Sequence, residues 1–516
     1  MRITLLLLVV YYSLLRESNS YKILVFSPKF GHSHVNFMGN IADTLANAGH
    51  NVTVVQSIID PSLKSTGCKT AKVIPIAHNK KMDEIYKILY SSMGSIWLGS
   101  PRNPFALFTV GKCLYITHNI YANSSINTIK YSFYSFNYSF PLSGLLHLIK
   151  PRSLVSACSS GLFDAVSLDI GSPLFLSYVP SLNAVYTDQM SFYDRFSNIV
   201  STAASLYFSR KLQSAAEETF EENFGSSFPT MKELISKSAF VFTNSEPLLD
   251  FARPKLHKTI DLGGIGIREP QKLPELFDKL LNLRKNTVLV SFGSVAKSVS
   301  MPEEYKLGLL GAMAKHPETT FIWKYENPND TFADGVDNVI LHEWVPQNDL
   351  LNDTRLTAFV THGGMGSVQE SAARGVSLMV IPLFADQTRN AMIVQKYRMG
   401  KMFDKNELHN SERISEELGE LIANKEQKDN ARRIAQMLAK RPFTAREKLI
   451  KNVEFACEFG EIPQFDPAGR HLNFIQYYLL DVLFCVVALL SLIVLFVFVM
   501  LKRVFRFYTE KKMKSE

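Results

Sequence analysis

Residues 341–390 read LHEWVPQNDLLNDTRLTAFVTHGGMGSVQESAARGVSLMVIPLFADQTRN, and this stretch sets out the architecture of the second half of the chain. The apolar run at residues 358–361 leads into glycines, which is typical of a buried parallel strand. A helix is predicted from about Ser367, a second strand over residues 378–383 and a second helix from Gln387. Because strands and helices alternate, we expect a parallel sheet covered by helices on both faces.

The same stretch carries polar groups suited to a sugar linked to a nucleoside diphosphate. The free amides at the start of the helix near Ser367 favour a diphosphate, and His362 can donate a further hydrogen bond to it. Glu370, one turn into the helix, can accept from ribose hydroxyls, and Trp344 offers a face for a base. The glycines that let the backbone approach a ligand are Gly363, Gly364 and Gly366.

The order of W-x-P-Q, T-H-G-G, E and P-x-x-x-D-Q in this stretch resembles the signature of the UDP-glycosyltransferases. The chain is most similar to the membrane-bound UDP-glucuronosyltransferases of animals, in particular invertebrates. The resemblance covers most of residues 21–512 and implies an α/β fold of the GT-B type. In that fold two Rossmann-like, doubly wound domains face each other across a cleft, and here one transmembrane helix follows at the carboxyl end.

The resemblance implies further contacts to the donor. The matching positions are Ser291, Ser294 and Lys324 near the diphosphate, Gln347 at the ribose or base, and Asp386 and Gln387 at the sugar hydroxyls. Lysine stands at 324 where arginine is common, so a bidentate phosphate contact becomes a point charge. Asp386 has the alternative role of a helix N-cap. No acidic D-x-D-type pair lies near the glycines, so we expect no metal and no cofactor, with the UDP-sugar as co-substrate.

The chain departs from the family pattern at two places within this stretch. Asp353-Thr354 stands where His-Pro is usual, and Met365-Gly366 where an asparagine is common. The first change argues against a ligand role for position 353. The second predicts that a backbone amide, or Ser367, replaces an amide side chain at the donor.

Sugar transfer to a hydroxyl also needs a base, and the candidate is His34 in the loop at residues 28–34. The start of a helix disfavours imidazolium, which keeps such a histidine neutral. The Ser-His position also matches the catalytic histidine of the family, with His32 as the alternative. In the family an aspartate partners this histidine. The F-D-x-x-x-x-D pattern at residues 163–169 makes Asp169 that partner, whereas Asp164, just before a predicted strand, has a structural role.

Between Asp169 and the S-Y-V-P motif at residues 177–180 the chain has only IGSPLFL, where family members have a much longer segment. We therefore expect a helix and a strand of the first sheet to be missing. An absent strand would leave backbone groups unpaired. The sequence thus leaves a catalytically impaired, membrane-anchored pseudoenzyme as an alternative to an active enzyme.

Targeting segments flank the predicted body. Residues 1–20 read as a signal peptide, residues 479–501 as a transmembrane helix, and residues 502–516 as a basic cytosolic tail. Between them we expect an acceptor-binding Rossmann-like domain at 21–250, a linker at 251–285 and a UDP-sugar-binding domain at 286–460. The predicted location is the endoplasmic reticulum membrane, as a single-pass type I protein with a lumenal body, and a homo-oligomer is compatible with it.

The net charge of +8 does not indicate nucleic-acid binding, because the tail alone holds six Lys/Arg and two Glu, which is +4. Five N-x-S/T sequons fit a lumenal body. Asn123, Asn137 and Asn329 are the glycosylation candidates, whereas Asn51 and Asn352 lie beside a strand and the donor motif. Five cysteines are too few for a disulfide scaffold and have no metal-like spacing.

The predicted activity is inverting transfer of a glycosyl group, glucuronosyl before glucosyl, from a UDP-sugar to a hydroxyl of small lipophilic acceptors, as in detoxification. UDP-glucuronate or UDP-glucose, the acceptor and the membrane are the expected partners. A nicotinamide dehydrogenase is disfavoured because no G-x-G-x-x-G follows a strand with an acidic residue at the required distance.

Overall fold

The computed structural model describes residues 20–76, 96–99, 144 and 147–513. Residues 1–19 of the predicted signal peptide and the sequons at Asn123 and Asn137 lie outside the described residues. The chain separates into two units, Met1–Phe465 and Asp466–Glu516, and the first unit contains both predicted halves.

The first half of the chain contains two three-stranded parallel sheets. Their orders are β1-β2-β3 and β4-β5-β6. The strands are β1 (Lys22–Phe26), β2 (Asn51–Ser57), β3 (Lys72–Ile76), β4 (Val155–Cys158), β5 (Phe240–Thr243) and β6 (Thr259–Asp261). The sequence of β1, KILVF, is apolar without alternation because Ile23 and Val25 enter one core and Leu24 and Phe26 enter another.

The helices of the first half that lie wholly within the described residues are α1 (His32–Asn47), α2 (Asp164–Asp169), α3 (Phe192–Phe224) and α4 (Met231–Ser236). Helix α1 follows the carboxyl end of β1 after a short loop, so its first turn lies at that edge of the sheet. The placement of Asp164 corrects an expectation. It begins α2 and does not precede a strand, because the chain turns into a helix directly after Phe163.

The short link after Asp169 consists of turns up to the start of α3. β4 pairs directly with β5, with Val155 opposite Phe240. Among the described residues no ladder of hydrogen bonds joins β1 to β4, although both strands contribute to the same two cores. Packing of side chains therefore holds the two small sheets together.

The second half is built on a six-stranded parallel sheet of order β12-β11-β10-β7-β8-β9. Its strands are β7 (Asn286–Ser291), β8 (Thr319–Lys324), β9 (Val339–His342), β10 (Leu356–Thr361), β11 (Leu378–Val380) and β12 (Gly400–Met402). The chain runs outward from β7 to β9, then returns to place β10 on the other side of β7. Ser291 and Thr361, the last residues of β7 and β10, lie opposite each other in register. Open parallel sheets bind ligands at such a reversal of strand order, outside the carboxyl ends of the strands.

Helices cover both faces of this sheet. They are α5 (Glu275–Leu280), α6 (Glu303–Ala314), α7 (Gln347–Asn352), α8 (Met365–Arg374), α9 (Gln387–Lys396), α10 (Ser411–Ala423) and α11 (Lys425–Ala439). The helix that follows, α12 (Ala445–Phe459), packs on the first half. One core lies under α6 and α10, and the other under α5, α7, α8, α9 and α11. The predicted doubly wound architecture is therefore present in this half, with α8 beginning two residues before the predicted start.

Two segments cross between the halves. Helix α12 packs on α1, and its Leu449 and Val453 belong to the core beneath β1 and β2. In the other direction, the buried Trp97 packs against Phe292 and donates a hydrogen bond from Nε1 to the carbonyl of Lys297 at 3.2 Å. These contacts fix the position of the first half relative to the second.

The second unit contains α13 (Phe474–Tyr477) and α14 (Leu480–Met513). Residues Leu480–Thr509 of α14 are long and apolar enough to cross a membrane, judged by length and composition. It is the one candidate membrane span among the described residues, and it overlaps the predicted span at 479–501.

Candidate active site

A cleft of about 1750 Å³ opens where the carboxyl ends of β1 and β4 face those of β7 and β10. Small-molecule pockets usually measure roughly 300–1,000 Å³, so this cleft has room for two substrates. Of the predicted donor and catalytic residues, every one except Gly363 and Asp169 lines it. The lining residues come from both halves of the first unit.

His362 lies at the reversal of strand order, directly after β10. Its ring lies between two glycines: a Cβ atom on Gly293 or on Gly364 would come within 2.7 Å of a ring atom. Only glycine leaves room for the ring at these two positions. Burial lowers the pKa of His362 to about 4; a hydrogen bond to the Ser291 backbone opposes this fall and the Lys324 charge adds to it. The imidazole is therefore neutral at physiological pH and has a single N–H.

The first turn of α8 supplies positive potential beside His362. Gly364 is the N-cap, it offers no capping side chain, and the first turn has no acidic residue. The amides of the turn are consequently free for a ligand, and a helix N-terminus favours anions. Gly364, Gly366 and Ser367 all line the cleft, and Gly366 has open space at its Cβ position.

A hydrogen-bonded group next to α8 fits a nucleoside. Gln347 donates from Nε2 to Glu370 Oε2 at 2.6 Å and to Ser367 Oγ at 3.2 Å. Burial raises the pKa of Glu370, while the Gln347 hydrogen bond and the Arg268 charge oppose that rise. The Trp344 side chain is 57% exposed and lines the cleft, so its ring face is available for stacking.

Lys324, predicted to be a point charge near the diphosphate, lines the cleft and has partners within its own half. Its Nζ donates to the carbonyl of Gly293 at 2.9 Å and pairs with Glu326 Oε1 at 2.9 Å. The Glu326 carboxylate compensates the lysine charge, which also lies 5.8 Å from the centre of the Trp344 ring. Lys324 therefore holds the turn after β7, while Ser291 and Ser294 of that region line the cleft.

The loop before α9 places Asp386 and Gln387 in the cleft. Ala385 has a φ of 56°, a left-handed conformation that is uncommon for alanine. Asp386 occupies the N-cap position without a side-chain capping bond, so the N-cap interpretation is wrong for its side chain. Its Oδ2 accepts from Asn390 at 3.2 Å, and burial raises its pKa. Gln387 uses its side-chain oxygen to accept from the amides of Leu383 and Phe384, which leaves its NH₂ group for a sugar.

On the opposite wall, His34 lies in the first turn of α1. Burial lowers its pKa to about 4, so the ring is neutral at physiological pH. Its Nδ1 lies 2.5 Å from Oγ of Ser159, the residue directly after β4. The other ring nitrogen, Nε2, is then the one that can take a proton.

The predicted partner of His34 is wrong. Asp169 is buried at the end of α2, where it pairs with Arg210 at 2.7 Å and accepts from Gln213 at 2.7 Å. Both partners belong to α3, so the carboxylate ties two helices together and does not line the cleft. Ser159 takes the place beside His34. The signal for Ser159 was present in the sequence, since it follows an apolar strand at the edge of the sheet where ligands bind.

The alternative histidine, His32, lies beside Trp344. His32 is hydrogen-bonded through Nδ1 to Asn36 at 3.1 Å, and its ring centre is 5.8 Å from that of Trp344. Burial, followed by the charges of Arg268 and Lys324, lowers its pKa. The sequence did not single out Arg268, which lines the cleft and lies in the predicted linker at 251–285.

The apolar side of the cleft adjoins His34. It contains aromatic and aliphatic side chains from the loops after β1 and β2, from the segment that leads into α2, from α2, from the link before α3 and from α3, namely Phe30, Ile59, Phe163, Val166, Leu182, Val185, Phe208 and Leu212. All of these side chains belong to the first half, whereas α8 belongs to the second. The cleft therefore has one anionic-ligand side and one apolar side.

Comparisons with known proteins agree with this geometry. UDP-glucuronosyltransferase 3A1 of Bos taurus is 28% identical over 90% of this chain and 90% of its own length. UDP-glucosyltransferase 2 of Dactylopius coccus is 26% identical over 94% of this chain and 93% of its own. A solved UDP-glucosyltransferase from Polygonum tinctorium, capable of glucosylating indoxyl, is similar in fold, with a TM-score of 0.58 and 16% identity over 85% of this chain and 99% of that one.

The solved structures of similar fold are GT-B glycosyltransferases, in accord with the two α/β halves around one cleft. The family model described as UDP-glucoronosyl and UDP-glucosyl transferase matches residues 21–515, which is nearly the whole chain. The chain therefore belongs to the UDP-glucuronosyl and UDP-glucosyl transferase family.

Proposed function

We propose that the chain transfers a glycosyl group, glucuronosyl in the first place, from a UDP-sugar to a hydroxyl of small lipophilic acceptors, with inversion at the anomeric carbon. One observation carries the proposal. A neutral histidine of the first half, His34, faces a cleft whose other wall is the anion-binding end of α8 with His362.

The donor is proposed to lie across the carboxyl ends of β7 and β10. The base stacks on the exposed Trp344 and the ribose hydroxyls donate to Glu370, whose other contact is Gln347. The diphosphate meets the amides of α8 and the neutral imidazole of His362. This order places the sugar toward Asp386 and Gln387 and toward the first half.

The reaction then needs no covalent intermediate. The acceptor proton passes to Nε2 of His34, the acceptor oxygen bonds to the anomeric carbon, and the bond from that carbon to the diphosphate oxygen breaks. UDP leaves with the electron pair, and its growing charge is stabilised by the α8 amides and His362. Because the base and the leaving group are on opposite walls, the attack comes from the face opposite the diphosphate, which inverts the configuration.

The apolar wall beside His34 supports a lipophilic acceptor, because apolar surface removed from water contributes to its binding. The glucuronosyl assignment rests on the name of the bovine relative, and the glucosyl alternative on that of Dactylopius coccus. Turnover of the full chain with UDP-glucuronate and with UDP-glucose, against a panel of phenols, tests the proposal. Faster transfer from UDP-glucose would replace the glucuronosyl assignment.

A pseudoenzyme is the second candidate, and one observation favours it. The partner of His34 is a neutral hydroxyl, while the predicted carboxylate is engaged with Arg210. A pseudoenzyme would bind UDP and show no transfer from either donor. The same donor and acceptor panel, combined with calorimetry of UDP binding, distinguishes the two candidates.

Replacing His362 or Glu370 by alanine is expected to weaken UDP binding by about 1–3 kcal/mol each, the cost of losing a buried or charge-assisted hydrogen bond. Isothermal calorimetry with UDP measures the change. Glu343→Ala is the control, because this exposed carboxylate is next to Trp344 and outside the cleft lining. Unchanged UDP affinity in both site variants would place the nucleotide elsewhere.

We place the body of the protein in the lumen of the endoplasmic reticulum and anchor it through α14 as a single-pass type I protein. The apolar span and the basic residues Lys502, Arg503 and Arg506 that follow its predicted apolar core support this orientation. Association into homo-oligomers is compatible with it, and detoxification of lipophilic compounds is the role we propose.

The lumenal assignment predicts N-glycosylation at Asn329. Asn329 is exposed on a turn before the short helix Thr331–Ala333, as a glycosylation acceptor must be. Asn329→Gln is expected to remove one glycosidase-sensitive step in the gel mobility of chain expressed in membranes. Asn327→Gln, exposed two residues earlier and outside any sequon, is the control. Identical mobility of the Asn329 variant and wild type would contradict the assignment.

A further inference from the structure

We propose that Ser159 positions His34 for catalysis, and that Asn244 and Gln369 tie this pair to the donor-binding helix α8. The inference rests on the proposed function and deepens it. It concerns how the base, which belongs to one half, is held at a set distance from the leaving group, which belongs to the other.

The Ser159 hydroxyl selects the state of the His34 ring. For Nε2 to accept the acceptor proton, Nδ1 must carry its own hydrogen and donate it to Ser159 Oγ, at the observed 2.5 Å. A hydroxyl can also act in the opposite sense and donate to Nδ1, which leaves the hydrogen on Nε2 and the ring unable to act as base. A carboxylate accepts only. Ser159 therefore orients the ring but enforces the productive tautomer less strictly than an acidic residue would.

A chain of hydrogen bonds fixes Ser159 itself. Asn244, which follows β5, donates from Nδ2 to the carbonyl of Ser159 at 2.9 Å. Its backbone amide donates to the carbonyls of Cys158 and Ser160 at 2.9 and 3.0 Å. Asn244, which is 8% exposed, thus holds the end of β4 through both its side chain and its backbone amide.

Gln369 extends the chain into the second half. Its Nε2 donates to the carbonyl of Asn244 at 2.6 Å, and its Oε1 accepts from the amide of Gly264 at 3.0 Å. Gln369 is 4% exposed and lies one turn after the start of α8. The nitrogen and the oxygen of its side-chain amide are therefore both hydrogen-bonded to residues outside the second half. A buried amide is costly to leave unpaired.

These contacts give α8 two connections to the reaction. Its first turn receives the diphosphate, and Gln369 holds the segment that carries the partner of the base. Reactions between bound groups depend steeply on their separation, and a shift of about 1 Å can cost on the order of 10²-fold in rate. A direct connection of three hydrogen bonds between α8 and His34 keeps that separation fixed.

Ser159→Ala is expected to lower kcat about tenfold, the rate equivalent of one neutral hydrogen bond, with the KM for the UDP-sugar within about twofold of wild type. Ser159→Asp is expected to move the acid limb of the kcat profile to higher pH, because a carboxylate at Nδ1 stabilises imidazolium. Gln369→Leu is expected to lower kcat while the acid limb stays in place. Ser227→Ala, an exposed serine of the first half outside the cleft lining, is the control.

Selective ¹⁵N labelling of histidine provides a readout independent of turnover. The His34 signals, identified by their loss in His34→Ala, report the tautomer and the pKa of the ring in the full chain. A larger Nδ1–H population in Ser159→Asp than in wild type supports the positioning role. Equal tautomer populations, or an unchanged kcat in Ser159→Ala, would overturn it. Absence of transfer by wild type with normal UDP binding would instead refute the proposed function and leave the tautomer test intact.

Discussion

Replacing His34 by alanine is expected to reduce turnover by at least ~10²-fold, the usual size of a general-base contribution, while UDP binds as tightly as before. The reason is its location. His34 belongs to the first half and lines the cleft, whereas the groups proposed to bind the nucleoside and the diphosphate belong to the second half. Steady-state kinetics with saturating UDP-sugar, together with calorimetry of UDP, measure both parts of the expectation.

The pH dependence gives a second test of the same residue. Burial lowers the pKa of His34 to about 4, so the neutral base persists through the physiological range and is lost only as pH falls toward that value. His32→Ala is the matched control, because this histidine is two residues away and hydrogen-bonded to Asn36. Wild-type rates in His34→Ala with a large loss in His32→Ala would transfer the role of base to His32.

That the residues of the proposed donor site line one cleft could be predicted from the sequence, because these residues are close along the chain. Trp344, His362 and Glu370 fall within one stretch, and the strand and helix between them determine how they face each other. The reversal of strand order then brings the turn after β7 beside β10. Local patterns were sufficient there, since each element is positioned by its immediate neighbours in sequence.

The partner of the base could not be predicted in the same way. His34 and Ser159 are 125 residues apart, and no local pattern relates them. The match of residues 163–169 to a family motif pointed to Asp169. In the structure, however, that carboxylate is bound by Arg210 and Gln213 of α3. A motif gives the identity of a residue, whereas its partner depends on which helix packs against it.

For two residues of the proposed donor site, the sequence likewise did not reveal the partners of their side chains. The sequence placed Lys324 and Gln387 correctly at the cleft, yet Glu326 compensates the charge of the lysine and backbone amides occupy the oxygen of the glutamine. Polar side chains near a site are often engaged in holding its loops, because buried polar groups need partners. Such engagement becomes visible only in three dimensions.

Arg389→Met is expected to lower the free energy of unfolding by about 3 kcal/mol, because removing one member of a buried ion pair leaves an uncompensated charge. Arg389, on α9, pairs with Asp250 at 2.6 Å, and both side chains are buried. It also lies 5.0 Å from the Phe251 ring centre. We take the low end of the range for such pairs, roughly 3–5 kcal/mol, because Arg253 and Lys255 also carry charge near Asp250.

The pH dependence and a double variant separate this charge effect from simple loss of packing. Burial opposes ionisation of Asp250, but Arg389 and its neighbours lower the pKa below the ordinary value. The pair therefore stabilises the fold at neutral pH, and this contribution is lost as the pH falls below about 4. Urea unfolding followed by tryptophan fluorescence should show that the difference in unfolding free energy between wild type and Arg389→Met closes at acid pH.

Adding Asp250→Asn should restore part of the stability at neutral pH, since no buried charge is then left unpaired. Arg432→Met, in an exposed pair with Asp429, should leave the midpoint unchanged. A gap between wild type and Arg389→Met that stays constant across pH and is not reduced by Asp250→Asn would show that Arg389 acts by packing on Phe251 and not by its charge.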